Sequence, residues 1–185
     1  MFKKLKVGLI GGSALMLLAA CGGSEEPANN SGSSSTENFE GKSFSVTYEQ
    51  AIADFQEAYP GAIISSIDFD KDFGEYSFEI NGFDDTQEIE WEINAENGEE
   101  TKNDTEKKDS DNDDRELMVD DLMTIDELIT KSEEEAQNIV LISWNIEADD
   151  DTNIPLFTGE FKEGNKEVDV HLNAETGEFL SIEND

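Results

Sequence analysis

The chain has 185 residues, of which 46 are acidic and 12 are lysine or arginine, and its formal charge is −34. This charge repels phosphate backbones and anionic head groups, so we expect no nucleic-acid partner and no membrane contact without a non-electrostatic anchor. The hydrophobic fraction of 36% is low, but 11 phenylalanines, 2 tryptophans and 3 tyrosines predict that part of the chain buries a core.

The N-terminus has the features of a secretory signal. Three lysines within the first six residues precede the apolar run 7–20, which ends at Cys21. The run is too short to cross a bilayer comfortably, and polar residues follow it. The sequence Leu18-Ala19-Ala20-Cys21 resembles the lipobox of bacterial lipoproteins, in which the cysteine thiol is diacylated and the chain is cut just before it.

The lipobox resemblance implies a signal peptide over residues 1–20 and a lipid anchor on Cys21. Two acyl chains, such as palmitate, give stable attachment, so we expect a lipoprotein on the extracytoplasmic face of the cell membrane. The alternative is a cleaved signal that leaves a free thiol. Since Cys21 is the only cysteine, a lipidated chain keeps none for disulfides, metal or catalysis. Removing residues 1–20 takes away three lysines and no acid, which leaves 9 basic and 46 acidic residues and a formal charge of −37.

Residues 21–43 are predicted to form a flexible tether. After the cysteine, this segment is rich in glycine, serine and asparagine and almost free of aliphatic residues. A flexible segment of this length has a mean reach of about 25 Å. We expect it to hold the folded part clear of the bilayer, where wall-side or extracellular partners can reach it.

The remaining sequence contains one pattern twice. Residues 46–50 (VTYEQ) match residues 123–127 (MTIDE), and each copy has a threonine that predicts a helix N-cap, with Gln or Glu three residues later to complete a capping box. Apolar residues at helical spacing follow, and Pro60-Gly61 ends the first helix. Residues 88–99 (EIEWEINAENGE) match residues 167–178 (EVDVHLNAETGE). This self-similarity indicates a duplicated unit.

Alternating apolar and polar residues predict strands after each helix. The predicted strands are 63–69, 76–83 and 88–94 in the first copy, and 139–148, 156–162, 167–173 and a short stretch at 179–182 in the second. Alternation gives each sheet one wet face and one buried face, which a helix covers. We therefore predict an α+β fold with two tandem repeats, each a helix packed on a small antiparallel β-sheet of three to four strands.

An acidic linker is predicted between the repeats. Residues 99–116 hold nine acids, four bases and no hydrophobic residue, which is typical of a solvated segment. The predicted organisation is repeat 1 over residues 44–100, a linker over 101–121 and repeat 2 over 122–185. A linker of this length leaves the relative orientation of the repeats open.

The repeated unit resembles the PepSY domain. The resemblance rests on the capped helix, the alternating hairpin and the closing strand that ends in Asn173 to Leu180 (NAETGEFL). The usual pattern has aspartate where this chain has Asn94 and Asn173, but asparagine can form the same turn. PepSY domains occur in propeptides of thermolysin-like peptidases and in bacterial envelope proteins. The resemblance implies a module that inhibits or modulates peptidases by binding them.

The sequence offers no catalytic set. His171, the only histidine, lies between two residues of the inward-facing series, so its ring is predicted to point to solvent. One histidine and one lipidated cysteine cannot form a Ser-His-Asp triad or a zinc tetrad. Carboxylate pairs are too abundant to identify an acid–base site. We expect no enzymatic activity and no cofactor.

Two acidic stretches mimic a calcium-binding loop without matching it. They supply the candidate weak cation ligands Asp109, Asp111 and Asp113, and Asp68, Asp70 and Asp72. In the first stretch Asp114 stands where the loop needs glycine, and in the second Gly74 comes one place late. We interpret both as solvated acidic loops, with weak divalent-cation binding as the alternative.

The sequence therefore favours a protein-binding module that modulates an extracytoplasmic peptidase or another cationic envelope protein. Exposed sheet edges can accept an extended strand, and the negative field would speed encounter with a basic partner. The alternative is an acidic surface protein that binds divalent cations or acts as an envelope spacer. A solute-binding receptor fits least, because two units of about 60 residues provide little room for a ligand cleft.

Overall fold

The structure is a computed structural model that describes residues 44–108, 115–137, 139–148 and 154–184. Its elements in chain order are α1 (Tyr48–Ala58), β1 (Ile63–Asp72), β2 (Glu75–Phe83), β3 (Gln87–Asn94), β4 (Glu100–Lys107), a 3₁₀ turn (Val119–Asp121), α2 (Ile125–Ala136), β5 (Val140–Ala148), β6 (Pro155–Glu163), β7 (Lys166–Asn173) and β8 (Phe179–Asn184). The predicted signal, tether and lipidation site, and the aspartates at 109, 111 and 113, lie outside the described residues.

All eight strands belong to one antiparallel sheet in the order β4-β3-β2-β1-β5-β6-β7-β8. A helix followed by four strands occurs twice along the chain, and β1 pairs with β5, with Phe69 opposite Trp144, to join the two halves. The prediction of helices on antiparallel strands is confirmed. The prediction of two separate small sheets is wrong, because pairing at this seam satisfies the backbone groups that β1 and β5 would otherwise expose as edge strands.

Both helices contribute to one core on one face of the sheet. Ile67 at the seam lies opposite Ile80 on one side and Ile146 on the other, so the apolar face continues across both halves. Phe69 of β1 stacks on Trp144 of β5 with ring centroids 5.7 Å apart. Because the buried residues of both helices belong to this one cluster, the two halves fold around a shared core.

The helices begin at the predicted threonines, but with different caps. Thr124 accepts a hydrogen bond from the Glu127 amide while the Glu127 side chain accepts one from the Thr124 amide, which completes a capping box. Thr47 accepts from the Gln50 amide, but the Gln50 side chain donates to Asp54 instead. The first capping box is therefore half formed, because Asp54 one turn away competes for the Gln50 side chain.

The turns that close β3 and β7 form as predicted. Asn94 Oδ1 accepts hydrogen bonds from the amides of the two residues at 96 and 97, and Asn173 Oδ1 does the same at 175 and 176. Gly98 and Gly177 have φ of +75° and +65°, which favour glycine. Asparagine therefore preserves the turn where the PepSY pattern has aspartate.

The predicted acidic linker is corrected by the structure. Its first part forms β4, which pairs along β3 and puts Asn103 opposite Trp91. Its last part enters the core, where Leu117 is 3% exposed and its amide donates to Ile64 O at 2.8 Å. β4 lacks an apolar residue because it is an edge strand that gains its place through backbone pairing, so no hydrophobic pattern signals it.

Candidate functional site

The sheet face opposite the helices is polar and strongly acidic; we call it the open face. A row of side chains crosses it from one edge strand to the other. In spatial order the members of this row are Lys102, Glu92, Glu79, Asp68, Asn145, Thr158, His171 and Ser181. Further acids on the same face are Asp70, Glu90, Asp104, Glu147, Glu160, Asp169 and Glu183. The row places the acids mainly in the first half and neutral side chains mainly in the second.

Asp68 lies at the centre of the row, on β1 next to the seam. Its Oδ1 accepts a hydrogen bond from Asn145 Nδ2 at 2.6 Å, and its Oδ2 accepts one from Ser66 Oγ at 3.3 Å. Burial raises the pKa of Asp68 to about 6, a shift that the hydrogen bond from Asn145 opposes and the charge of Glu79 reinforces. The carboxylate is therefore held in a partly desolvated, negative environment that a nearby cation would relieve.

The neighbouring acids show the same tendency. Burial, followed by the charges of Glu92, Asp72 and Glu160, raises the pKa of Asp70. Burial also raises the pKa of Glu79, although Lys102, whose Nζ lies 3.7 Å from Glu79 Oε2, lowers it in part. Like charges gathered on one surface therefore disfavour one another, and this surface favours positive charge brought from outside.

His171 lies on the open face, the side to which its ring was predicted to point. Its side chain is only 18% exposed, so it is not the solvated histidine that the alternation suggested. Nδ1 is 3.0 Å from Thr158 Oγ1, and Nε2 is 4.0 Å from Glu183 Oε1. Among the described residues, these two neighbours do not surround a metal ion together with the ring.

The cation candidates on β1 are strand residues and not parts of a loop. Asp68, Asp70 and Asp72 alternate along β1, and same-face neighbours in a strand are about 6.6 Å apart, too far to converge on one ion as loop oxygens do. Within residues 44–108, 115–137, 139–148 and 154–184, no three His, Cys, Asp or Glu side chains are arranged to hold a metal ion. Cation binding at these three aspartates stays a prediction.

The acids that accompany Asp68 and Asp70 were not singled out from the sequence. Glu79, Glu92 and Glu160 occupy polar positions of strands that were predicted, but their proximity depends on which strands are neighbours. A cleft of about 500 Å³ over β2, β3 and β4 is also lined by acids, among them Glu90 and Asp104. Alternation alone could have assigned these residues to a polar face.

No helix in the described part of the chain combines the length and the apolar character needed to span a bilayer. This finding concerns the described helices, which are both amphipathic and short, with 11 and 12 residues.

Comparisons with known proteins fit the fold. Residues 45–104 match the sequence profile of the family described as "Peptidase propeptide and YPEB domain", or PepSY. A crystal structure of a protein from Clostridium difficile 630, named a "putative lipoprotein", is 24% identical, with a TM-score of 0.72 over 80% of this chain and 99% of the other. That likeness shows a shared fold. No curated protein matches the chain significantly.

Proposed function

We propose that this protein is a non-catalytic, lipid-anchored module outside the cytoplasmic membrane that binds a cationic surface of a peptidase or another envelope protein. The observation that carries the proposal is the open face, on which Asp68, Asp70 and Glu79 are acids of raised pKa on adjacent strands. The match of residues 45–104 to a family of peptidase propeptides supports the peptidase as partner. The lipobox at Cys21 supports the anchor, as does the name of the structural neighbour.

We also infer that the second half is a diverged copy of the PepSY unit that the family profile matches at residues 45–104. The two halves have the same order of elements, and Thr47 and Thr124 each accept a hydrogen bond from the amide three residues later at the start of a helix. The strand registers repeat as well, with one shift near the start of β1 against β2 and one near the start of β5 against β6. Tandem units joined into one sheet give the open face twice the width of a single unit.

Charge explains how such a face would act without catalytic groups. A partner that brings Lys or Arg to the open face would pair with carboxylates that now repel one another, and the field would raise the rate of encounter. Salt would weaken this attraction, because exposed charges are screened over about 8–10 Å at physiological ionic strength. Binding at the entrance of a peptidase would then slow the peptidase by exclusion of its substrates.

The test uses residues 22–185 as bait for culture supernatant and envelope extract of the host, at low salt. The variant E79Q/E92Q/E160Q removes three negative charges from the open face. It is compared with E57Q/E133Q/E134Q, which removes three negative charges from the helices. We expect the unmodified chain and the helix variant to capture and slow a secreted peptidase or retain a basic envelope protein. The open-face variant should lose that partner.

Two results would contradict the proposal. In one, no peptidase or envelope protein is retained or slowed at low salt. In the other, both variants bind equally, which would show that the acids of the open face do not contribute to binding. Titration with Ca²⁺ tests the alternative function: saturable heat with a defined stoichiometry and a rise in melting temperature would favour an acidic cation-binding protein instead.

A further inference from the structure

We propose that the outer edge of β8 is the docking site for an extended, basic segment of the partner, which adds to the sheet as a ninth strand. This inference rests on the proposed function as a protein-binding module and specifies the surface and the partner's chemistry. β8 stands last in the sheet order, so one side of it pairs with β7 and the other is the rim of the described sheet.

Three of the six side chains of β8 are apolar and exposed, those of Phe179, Leu180 and Ile182. Phe179 is opposite Leu172 and Ile182 is opposite Val170, so both extend the buried, helix-side face of the sheet. Each is nevertheless 42% exposed, because α2 contacts β6 and β7 and reaches little further. β8 therefore presents a half-covered apolar strip beside a backbone edge that pairs with no other described strand, a combination that favours strand addition.

β4, at the opposite edge of the same sheet, has the polar side chains that oppose pairing with another chain. β4 pairs with β3 in the register that β8 has with β7, including the same shift near the start of the strand. Glu100 takes the place of Phe179, and Asn103 takes the place of Ile182. Glu100 accepts a hydrogen bond from Trp91 Nε1 at 2.8 Å, so a polar side chain occupies the place that Phe179 has on β8. At these matched positions β8 has apolar residues and β4 has polar ones. The two edges therefore differ in how well they can bind an added apolar strand.

A groove beside β8 can take alternate side chains of an added strand. It has a volume of about 270 Å³ and lies between the end of α2, the start of β5, and β7 and β8. Its lining includes the apolar residues Ile139, Val168 and Ile182, the acids Glu135 and Glu163, and Lys166. Apolar side chains of the added strand would enter the groove, and the intervening basic side chains would point to the open face, where Glu183 lies.

The negative charge of the chain favours a basic segment at this edge. A basic extended segment is attracted by the formal charge of −34, and on the open side of β8 it would pass Glu183. A second copy of this chain would pair two edges of the same sign of charge, so its approach is opposed. We therefore commit to a partner segment in which apolar residues alternate with lysine or arginine.

The experiment uses residues 22–185 and a capped peptide that alternates valine and lysine. Binding is measured by fluorescence anisotropy, and the site is located by hydrogen exchange. We expect saturable binding that slows exchange in β8 and leaves β4 unchanged. The variant F179E/I182N, which gives β8 the residues of β4, should bind about tenfold more weakly or worse. F73N, which removes another exposed apolar residue in the turn between β1 and β2, should bind as the unmodified chain does.

A peptide with N-methyl groups on alternate amides keeps the side chains but cannot complete a strand ladder, and it should not bind. It keeps the test decisive if F179E/I182N fails to fold. The inference is overturned if the plain peptide does not saturate, if the methylated peptide binds as well, or if protection appears at β4. It is also overturned if sedimentation shows a dimer that F179E/I182N dissociates and the peptide does not, since the occupant would be a second copy.

Failure of the edge and failure of the module are distinguishable. If the peptide binds F179E/I182N normally but not E79Q/E92Q/E160Q, the edge inference is wrong while the open face still binds cations. If neither variant changes binding and no envelope protein is captured, the proposed function itself is wrong.

Discussion

Replacement of Asp68 by asparagine tests whether the open face stores unfavourable charge. Asparagine can accept the same hydrogen bond from Asn145 Nδ2, so D68N removes the charge and keeps the contact. The pKa of Asp68 is raised from its ordinary value of 3.8 to about 6, so the folded protein favours the protonated form. Folding stability is therefore lost as pH rises from about 4 to about 6 and stays lost above that range.

The magnitude follows from the shift of about two pKa units, which corresponds to up to about 3 kcal/mol. D68N and the unmodified chain should be equally stable below about pH 4. Above about pH 6 D68N should be more stable by up to that amount, a melting temperature on the order of 5–10 °C higher. E57Q, which neutralises an exposed acid of α1 away from the open face, is the matched control for the loss of one charge and should change stability by less than about 0.5 kcal/mol.

Urea unfolding of the three proteins at several pH values between about 3.5 and about 7.5, a range that brackets the expected step from about pH 4 to about pH 6, measures the difference. A stability gain of D68N that is the same at every pH would refute the reasoning, because it could not come from titration of Asp68. Lower stability of D68N at neutral pH would refute it as well, since the carboxylate would then be favourably paired.

The remaining predictions concern the two halves and can be measured by urea unfolding. G82A should destabilise the protein by about 1–3 kcal/mol or more, because the added Cβ would lie 2.5 Å from Ile63 O. G159A should cost less, because the nearest atom to its Cβ is a side-chain atom of Phe161 at 3.0 Å. Equal losses of stability would contradict this ranking. T124A should lower the free energy of unfolding by about 1 kcal/mol and T47A by less, since of these two threonines Thr124 has the complete capping box. A larger loss of stability for T47A would contradict this expectation. W91F should cost about 1–3 kcal/mol through loss of the hydrogen bond to Glu100, and no change in stability would show that this bond does not hold β4.

Local sequence patterns predicted the elements that bury side chains. The N-cap at Thr124, the Asx turn at Asn173 and the alternation in β7 each depend on a few neighbouring residues, and each is found in the structure. The charged strand β4 was missed because an edge strand needs no apolar pattern. The pairing of β1 with β5 was missed because register between distant segments leaves no local signal.

The same limit applies to the candidate site. Asp68 and Asp70 were identified as candidate cation ligands in an acidic loop, whereas the structure places them on a strand. Their grouping with Glu79, Glu92 and Glu160 arises from the order of strands in the sheet. Sequence patterns can assign a residue to a polar face, but only the strand order shows which polar residues lie together.

The most direct test of the acidic face as a binding surface is the association rate with the captured partner as a function of ionic strength, measured by stopped-flow fluorescence. The account predicts that the rate for the unmodified chain and for E57Q/E133Q/E134Q falls on the order of tenfold between about 0.02 and 0.2 M salt. The rate for E79Q/E92Q/E160Q should start lower and fall less steeply. A rate that ignores salt, or the same salt dependence in both variants, would contradict the account.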